Sequence, residues 1–547
     1  MKWEIKSKEK TKDVIETLLK NRGLIKKKEI DEFLHPKDPL KILPKEVDIN
    51  ISQLKKAITR IKKAIDNNES IVVYGDYDAD GVCATAVMWE TLYEMKANVM
   101  PYIPHRVEEG YGFSISGIDK VIKEYDPKLI ITVDHGITGN KKIDYAKKKG
   151  IDVIITDHHV KSKKLPKAYA IIHTTKLCAA GISWLVVKEL RDNSPIVKEK
   201  LDAVAIATIA DMVPLIGANR ILVKYGLKLL NDPKRPGLEE IIKEAGLVKG
   251  EIGTYEVGHI IAPRLNATGR LNHAVDSLRL LCTNNRARAK ELAVKLGTTN
   301  RERQDLTTQT TIHARRLVKN GTKIIFVYHE SYNQGIIGLV AGKLVEEFYR
   351  PAIVISRGET TSKASARSVN GFNIIKAINQ MDDLLIDAGG HPMAAGFTIE
   401  TEKLSLMEKR VEELAEREMT KEILTRIVKI DAEIDLKDLT LKLYESLREL
   451  EPFGFGNPEP VFMSQNVLVK DVRLVGKETN HLRLWLEQLQ EDKPGLSPQF
   501  SAIGFRMGEF AQIIHPGDII SVSFTIALDT WNGNRKLQLK LKDIRTV

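Results

Sequence analysis

The sequence predicts an α/β protein of several domains that ends in a small β-barrel. Three observations carry this prediction. Short apolar strands alternate with helices over the first half of the chain, and a long charged helical stretch then leads into a second strand-and-helix region. From about residue 427 short runs alternate apolar and polar positions. A chain of 547 residues is also too long for one hydrophobic core, so several domains are expected.

The first domain is predicted to be a doubly wound parallel sheet. After a helical preface, the run ISQLKKAITRIKKAIDNNES has apolar residues three and four apart and ends at two asparagines, as an amphipathic helix does. The strands IVVYG, ANVMPYIP, KLIITVD and DVIITD then alternate with helical runs, and DAVAIATIAD is a further apolar stretch. This spacing is typical of a parallel sheet with both faces covered.

Changes in the sequence pattern divide the chain into further regions. We predict the preface over residues 1–45, the first α/β domain over 46–282, a connecting helix over 283–319, a second α/β domain over 320–426 and the barrel over 427–547. The barrel prediction depends on NVLVKDVRLVG, HLRLWLEQ, DIISVSFTIALD and KLQLKLKDI, in which apolar and polar residues alternate as in short strands.

Composition excludes some classes of protein. Hydrophobic residues make up 43% and charged residues 29%, as in ordinary globular proteins, and no apolar run approaches the ~18 residues of a membrane span. Cys83, Cys178 and Cys282 lie far apart without metal-ligand spacing, so we expect a reducing cytoplasm. The net charge of +11 fits a polyanionic partner or a lysine-rich surface equally well.

Acidic residues and imidazoles follow several of these apolar segments. They are Asp76, Asp78 and Asp80 after IVVYG, Asp134 and His135 after KLIITV, Asp157, His158 and His159 at the end of DVIITD, and Asp211 after IATIA. The carboxyl ends of parallel strands share one rim, where ligands collect. One such acid is usually a helix cap, but four converging segments indicate a metal site.

The donor set favours hard cations. Carboxylates mixed with imidazole suit Mn²⁺ or Mg²⁺, with Zn²⁺ as an alternative, and the thiolates of a cysteine-type zinc site are missing from the pattern. The number of carboxylates predicts two divalent ions, and two such ions can act together on a phosphoryl group.

These segments, in their order, resemble the DHH phosphoesterase superfamily: GDYDADG, TVDHG, the Asp157-His158-His159 triplet and TIAD. Further motifs make the chain similar to the RecJ branch, the 5′→3′ single-strand-specific DNA exonucleases. They are PRLNATGRL, NRERQ, YNQGIIGLVAGKL, SKASARSVNGF, GGHPMAAGF and EPFGFGNPEPVF. The resemblance implies a DHH-type domain, a DHHA1-like second domain and an OB-type barrel.

The resemblance also implies roles for individual residues. The implied metal ligands are Asp78, Asp80, Asp134, His158 and Asp211, with Asp134 between the two ions. His159 would act on the scissile phosphate, and Asp76 would support a ligand or a bound water. The implied substrate contacts are Arg106, Arg264, Asn266, Arg270, Lys363, Ser365, Arg367, Gly389, Gly390 and His391. Gly389 and Gly390 are expected to open a glycine loop that lets backbone N–H groups approach the 5′-terminal phosphate, and one of the motif arginines is expected to be a structural ion pair.

A small barrel of this kind commonly binds single strands by stacking bases on aromatic rings. The candidate rings are Phe453, Phe455, Phe462, Trp485, Phe505 and Trp531. The resemblance implies a monomer that hydrolyses single-stranded DNA from its 5′ end to mononucleotides, in repair and recombination, with a single-strand-binding protein and a helicase as further partners. Two alternatives stay open: a phosphodiesterase for oligonucleotides or cyclic dinucleotides, and an inactive single-strand-binding scaffold.

Overall fold

The computed structural model describes residues 1–7, 13–106, 109, 112–489, 498–529 and 535–546. The chain forms two compact units, Met1–Lys37 with Thr425–Val547, and Asp38–Leu424. None of the helices formed by the described residues combines the length and the apolar character that a membrane crossing requires.

The N-terminal segment belongs to the same unit as the C-terminal residues. Its elements are β1 (Lys2–Ile5), α1 (Val14–Asn21) and α2 (Lys27–Leu34). β1 runs parallel to Ile427–Ile430, with Lys2 opposite Ile427. Leu18 and Leu19 of α1 are buried in the core of the barrel, so the helical preface is one part of a packed unit.

The first α/β domain contains a five-stranded, all-parallel sheet in the order β3-β2-β4-β5-β6. Its strands are β2 (Ile71–Tyr74), β3 (Val99–Tyr102), β4 (Leu129–Val133), β5 (Asp152–Asp157) and β6 (Ala170–His173). The four predicted strands are present, and β6 is an additional one. Every residue of β2 and β4 is buried, because helices cover both faces of the sheet.

The helices of this domain surround the sheet and extend beyond it. They are α3 (Ile51–Asp66), α4 (Ala79–Glu94), α5 (Ile115–Tyr125), α6 (Asn140–Lys148), α7 (Ala179–Leu190), α8 (Leu201–Ala210), α9 (Gly217–Asn231), α10 (Pro236–Glu244), α11 (Thr254–Glu256), α12 (Ala262–Leu271) and α13 (Val275–Cys282). A π-helical turn at Val257–Ile261 joins α11 to α12, and 3₁₀ turns lie at Pro39–Lys41, Pro44–Val47 and Pro195–Lys200.

The predicted connector is the 31-residue helix α14 (Arg286–Arg316), which begins at an Asn285 cap and leads into the second α/β domain. Its mixed sheet has the order β10-β11-β9-β8-β7. The strands are β7 (Ile325–His329), β8 (Ala352–Ser356), β9 (Thr361–Arg367), β10 (Leu385–His391) and β11 (Ala394–Glu400). The helices are α15 (Ile337–Phe348), α16 (Ile374–Asn379) and α17 (Leu404–Glu418), with 3₁₀ turns at Asp382–Leu384 and Thr401–Lys403.

The C-terminal residues form the predicted barrel. Its elements are β12 (Ile427–Ile430), β13 (Ala432–Glu433), α18 (Leu441–Arg448), β14 (Phe462–Val475), β15 (His481–Gln488), β16 (Gln499–Gly504), β17 (Ile519–Asp529) and β18 (Lys536–Thr546), with 3₁₀ turns at Leu436–Asp438 and Gly508–Gln512. The order β14-β15-β16-β18-β17 closes because β17 also pairs with β14, which gives a five-stranded ring. Within this ring, β16 is the strand that the sequence pattern did not indicate, and the short strands β12 and β13 were not indicated either.

Candidate active site

Three adjacent strands deliver acids and imidazoles to one edge of the parallel sheet. β2 leads into the turn that carries Asp76 and Asp78, β4 is followed by Asp134, and β5 is followed by His158. β2, β4 and β5 are neighbours and run parallel, so their carboxyl ends meet at the same place. This part of the predicted convergence follows directly from the sheet order.

The remaining acid of the site, Asp211, lies at the end of a helix. The apolar run before Asp211 forms α8, and Asp211 is the residue that ends this helix. The first eight residues of α8 are all buried, so the helix has no polar face whose periodicity could distinguish it from a buried strand. Asp211 still reaches the cluster, with its Oδ2 3.7 Å from Nδ1 of His158.

The side chains lie close enough to share metal ions. Three groups have ligand atoms within 4.8 Å of one another: Asp76, Asp78 and Asp134; Asp134, His158 and His159; and Asp80, His158 and Asp211. Nε2 of His158 lies 3.1 Å from Oδ1 of Asp134 and 3.7 Å from Oδ2 of Asp80. Asp134 belongs to two of the three groups, as expected of a residue that lies between two ions.

The electrostatics of this cluster call for a cation. Burial, followed by repulsion from neighbouring carboxylates, raises the pKa of Asp76, Asp80, Asp134 and Asp211. Within the described part of the chain, the buried Oδ2 of Asp76 has no hydrogen-bond donor. Burial also lowers the pKa of His158 to about 4, which keeps its imidazole neutral and able to bind a metal. The donor set fits divalent ions, and Asp76 can serve as a direct ligand.

Backbone contacts hold two of the acids in position. Oδ1 of Asp78 caps α4 by accepting the Gly81 N–H at 3.0 Å. The two oxygens of Asp80 accept the N–H groups of Ala179 and Ala180, at 2.7 and 2.8 Å, where α7 begins. Asp80 therefore joins the metal-binding edge to the N-terminus of a buried helix, and its orientation is fixed by two elements.

Asp157 holds His159 in place. Its Oδ1 accepts the His159 backbone N–H at 3.0 Å and lies 2.8 Å from Nδ1, while Oδ2 accepts the Ile137 N–H at 2.8 Å. Burial opposes the charged imidazole, but the hydrogen bond and charge of Asp157 outweigh it and raise the pKa of His159. The ring of His159 also lies parallel to that of His391, with centroids 6.4 Å apart, so the second α/β domain reaches the site.

Four arginines meet beside the carboxylates. The pKa of Arg270 is lowered to about 10, first by burial and then by the positive charges of Arg106, Arg303 and Arg367. Its Nη1 donates to the Gly335 carbonyl at 3.1 Å. Arginines whose positive charges act on one another are typical of an anion-binding site. Of these four arginines, only Arg303 was not among the predicted substrate contacts. Its place in the NRERQ motif was the one feature of the sequence that pointed to it.

The predicted substrate residues of β9 share one face of the second sheet. Lys363, Ser365 and Arg367 alternate with buried residues along the strand, and Nη1 of Arg367 donates to Oγ of Ser365 at 3.1 Å. The prediction of a glycine loop is wrong, because Gly389 and Gly390 lie within strand β10. Gly389 faces Gly396, which faces Ser365 on the next strand, so the backbone beside Ser365 is uncovered by side chains.

Two of the predicted substrate residues make contacts within the protein. Oδ1 of Asn266 accepts the Ala79 N–H at 2.7 Å and so holds the first turn of α4 beside the carboxylates. Arg264 pairs with Glu244 at 2.8 Å and donates to the Ile260 carbonyl at 2.9 Å, which makes it the structural ion pair expected among the motif arginines. Both side chains position backbone in this structure, and their contacts to the substrate stay a prediction.

In the barrel, Trp485 lies on the outer face of β15 between two arginines. The guanidinium carbons of Arg473 and Arg483 lie 4.9 and 5.0 Å from its ring centroid. Of the other candidate rings, Phe462 is buried in the barrel core, Phe453 packs against that core, and Phe455 and Phe505 are exposed. Trp531 lies outside the described residues.

Comparison with known proteins gives the same domain series. The family model of the DHH family N-terminal domain matches residues 70–208, that of the DHHA1 domain matches 321–417, and that of the RecJ OB domain matches 430–543. These three stretches lie within the first α/β domain, the second α/β domain and the barrel.

Relatives match along almost the whole chain. The single-stranded-DNA-specific exonuclease RecJ of Bacillus subtilis is 37% identical over 99% of this chain and 70% of its own length. The crystal structure of Thermus thermophilus RecJ with Mn²⁺ has a TM-score of 0.85 at 27% identity and covers 100% of this chain and 80% of that one. The structure of the same protein with Mg²⁺ has a TM-score of 0.79 at 26% identity, over 100% and 78% of the two chains. On this evidence the chain belongs to the RecJ family of single-stranded-DNA-specific exonucleases.

Proposed function

We propose that this protein hydrolyses single-stranded DNA from the 5′ end with two divalent ions, Mn²⁺ first and Mg²⁺ as an alternative, and releases 5′-mononucleotides. The observation that carries the proposal is a buried carboxylate–imidazole cluster that adjoins a group of arginines within one unit. The charge of Asp78 raises the pKa of Arg270 against the larger lowering effects, so the two groups of side chains are neighbours. Such a pair of sites can hold two consecutive phosphates of one strand.

The carboxylate and imidazole groups would hold the ions, with Asp134 between them and Asp76, Asp78, Asp80, His158 and Asp211 around them. Bound divalent ions neutralise the phosphate and lower the pKa of a coordinated water. The RecJ structures with Mn²⁺ and Mg²⁺ support the choice of ions.

His159 would contact the scissile phosphate. Asp157 fixes its ring through Nδ1, and the raised pKa favours a positively charged ring. A fixed positive charge beside the phosphate stabilises the negative charge that builds up as water adds to phosphorus.

The arginines and β9 would capture the phosphate at the 5′ end. Arg367 and Ser365 are already hydrogen-bonded to each other, and Arg270 is held by the Gly335 carbonyl. A terminal phosphate at this place would set the distance to the bond that is cut, which gives both the 5′→3′ direction and the mononucleotide product. Phosphate contacts carry no sequence information, so little sequence preference is expected.

The barrel would hold the strand by stacking bases on Trp485, whose neighbouring arginines can contact phosphates. Its presence opposes the alternative of a short-oligonucleotide or cyclic-dinucleotide phosphodiesterase. A cytoplasmic location is a further proposal, supported by the three free cysteines. A monomeric state, and a single-strand-binding protein and a helicase as partners, are proposals supported by the resemblance.

A single assay tests the proposal. A DNA strand with a 5′ phosphate and a label at its 3′ end is incubated with the protein and Mn²⁺, beside a blunt duplex and an RNA of the same sequence. We expect progressive shortening of the single DNA strand and an intact duplex. Asp134→Ala should abolish hydrolysis while the strand still binds. A long strand that survives while a dinucleotide is cut would favour the oligonucleotide phosphodiesterase.

A further inference from the structure

A cavity of about 610 Å³ lies between the connecting helix α14 and helix α15. Residues of α14 form one wall, residues of α15 form the other, and β9 contributes Arg367. The lining residues are Arg303, Gln304, Thr307, Thr308, Gly338, Leu339, Gly342, Lys343, Glu346 and Arg367. The cavity is open because α15 has glycine at two positions four residues apart, where side chains would otherwise fill the gap.

The lining has the chemistry of an anion site. Arg303, Lys343 and Arg367 bring three positive charges, and Glu346 brings one negative charge. Burial lowers the pKa of both Arg303 and Arg367, so these guanidinium groups are held where water only partly solvates them. Thr307 and Thr308 add hydroxyl groups on the α14 wall. Hydroxyl and guanidinium groups together are well suited to phosphate oxygens.

The cavity adjoins the residues proposed to bind the 5′ phosphate, here called the strand-end site: Arg270, Ser365 and Arg367. Arg367 belongs to the strand-end site and also lines the cavity. Gly338, another lining residue, packs against β9, because a Cβ added there would lie 2.9 Å from Oγ of Ser365. Lys343 lies further along α15. A group that extends from a phosphate in the strand-end site would therefore have the cavity beside it.

We propose that this cavity accepts the β- and γ-phosphates of a strand that begins with a 5′-triphosphate. Such an end is present when the first nucleotide of a newly started strand keeps all three of its phosphates. The inference rests on the proposed function, because the α-phosphate would occupy the strand-end site. Water adds to the phosphorus between the first two nucleotides, the bond to the 3′ oxygen breaks, and that oxygen takes up a proton. The first product is then a nucleoside triphosphate, and later products are monophosphates.

Two glycines of α15 provide the test. A Cβ added at Gly342 would meet no heavy atom within 4 Å, so a larger side chain there would grow into the open cavity. A Cβ added at Gly338 would lie 2.9 Å from Oγ of Ser365 and 3.0 Å from Nη2 of Arg367. Gly342→Leu therefore extends into the cavity from a position whose Cβ touches neither Ser365 nor Arg367, whereas Gly338→Ala disturbs the strand-end site itself. Gly342→Ala is the matched control, and replacing a glycine within a helix favours the folded state.

The experiment compares strands with a 5′-monophosphate and a 5′-triphosphate at constant free Mn²⁺, and identifies the first product by chromatography. We expect wild type to release a nucleoside triphosphate first. Gly342→Leu should lower kcat/KM for the triphosphate strand about 10-fold or more, as expected for lost contacts to charged groups, and change it less than about 2-fold for the monophosphate strand. Gly338→Ala should lower both.

Three results would overturn the inference: no nucleoside triphosphate from wild type, an equal effect of Gly342→Leu on both strands, or hydrolysis of inorganic tripolyphosphate in place of the triphosphate strand. The last would assign the cavity to free polyphosphate. Failure to cut the monophosphate strand would instead refute the proposed function, so the two failures are distinguishable.

Discussion

Asp134→Asn should make the metal-free protein more stable while it abolishes catalysis. Asp134 is almost fully buried, and its carboxylate has neighbours of the same charge at Asp76 and Asp78. Its backbone has a φ of 72°, in the left-handed region, which asparagine adopts at least as readily as aspartate. The substitution therefore removes a negative charge with almost no change in shape or backbone strain.

The size of the effect follows from the distances in the cluster. Ligand oxygens of Asp76, Asp78 and Asp134 lie within 4.8 Å of one another. At that separation, and with an effective dielectric constant of about 20, two full charges repel by about 3.5 kcal/mol. Shared protons reduce this repulsion in the metal-free protein, as the raised pKa of Asp134 indicates. We expect the free energy of unfolding to rise by about 1–3 kcal/mol.

Urea denaturation of wild type and Asp134→Asn, each with a chelator and with Mn²⁺, measures this effect. The variant should have the higher midpoint with the chelator, and it should gain less than wild type from Mn²⁺ because it binds the ions more weakly. A metal-free variant that is less stable than wild type, or one that gains as much from Mn²⁺, would show that repulsion at this edge is not what the ions relieve.

Three further predictions concern other parts of the molecule. Arg235→Met should lower the free energy of unfolding by about 3–5 kcal/mol in urea, because it removes the cation beside the buried Asp202 and leaves Glu90 with Lys200 alone, whereas Lys234→Met, at a largely exposed neighbour, should change it little. Trp485→Ala should weaken single-strand binding by about 1–3 kcal/mol in fluorescence anisotropy, and unchanged binding would exclude this ring as a stacking site. Asp157→Asn should lower kcat about 10- to 100-fold with Mn²⁺ binding retained, since it releases His159; an unchanged kcat would contradict the role given to that hydrogen bond.

The acids of the parallel sheet could be predicted because strand direction and sequence position determine where they lie. Once β2, β4 and β5 are adjacent and parallel, residues that follow each strand meet at one edge, whatever the details of packing. This rule alone was enough to predict that Asp76, Asp134 and His158 lie together. Four of the five strands of the barrel ring could also be predicted, because one face of each packs on the core and the other is polar.

Other features of the fold and the site depend on contacts between residues far apart in sequence, which local sequence patterns do not reveal. α8 is apolar on every side because protein surrounds it, so its sequence reads equally well as a strand. Gly389 and Gly390 suggest a loop, but they form a strand because β11 supplies hydrogen-bond partners along its length. Asn266 acts through the backbone of Ala79, which is 187 residues away in sequence.

The connecting helix shows the same limit at the level of single side chains. Arg301 and Arg303 stand two residues apart in one motif. Arg301 pairs with Glu244 at 2.7 Å on an exposed surface, whereas Arg303 contributes to the positive charge around Arg270. A shift of two residues turns a side chain to a different side of a helix, and only the packing of α14 decides which arginine faces the site.

The parallel pairing of β1 with β12 has a consequence for biosynthesis. The first residues of the chain find their partner only when residues Ile427–Ile430 have been made. At translation rates of about 5–20 residues per second, β1 waits about 20–85 s, and the barrel that buries Leu18 and Leu19 is completed later still. During that interval the unit of Asp38–Leu424 can fold on the ribosome, while the segment ahead of it keeps an unpaired strand and an exposed apolar helix face.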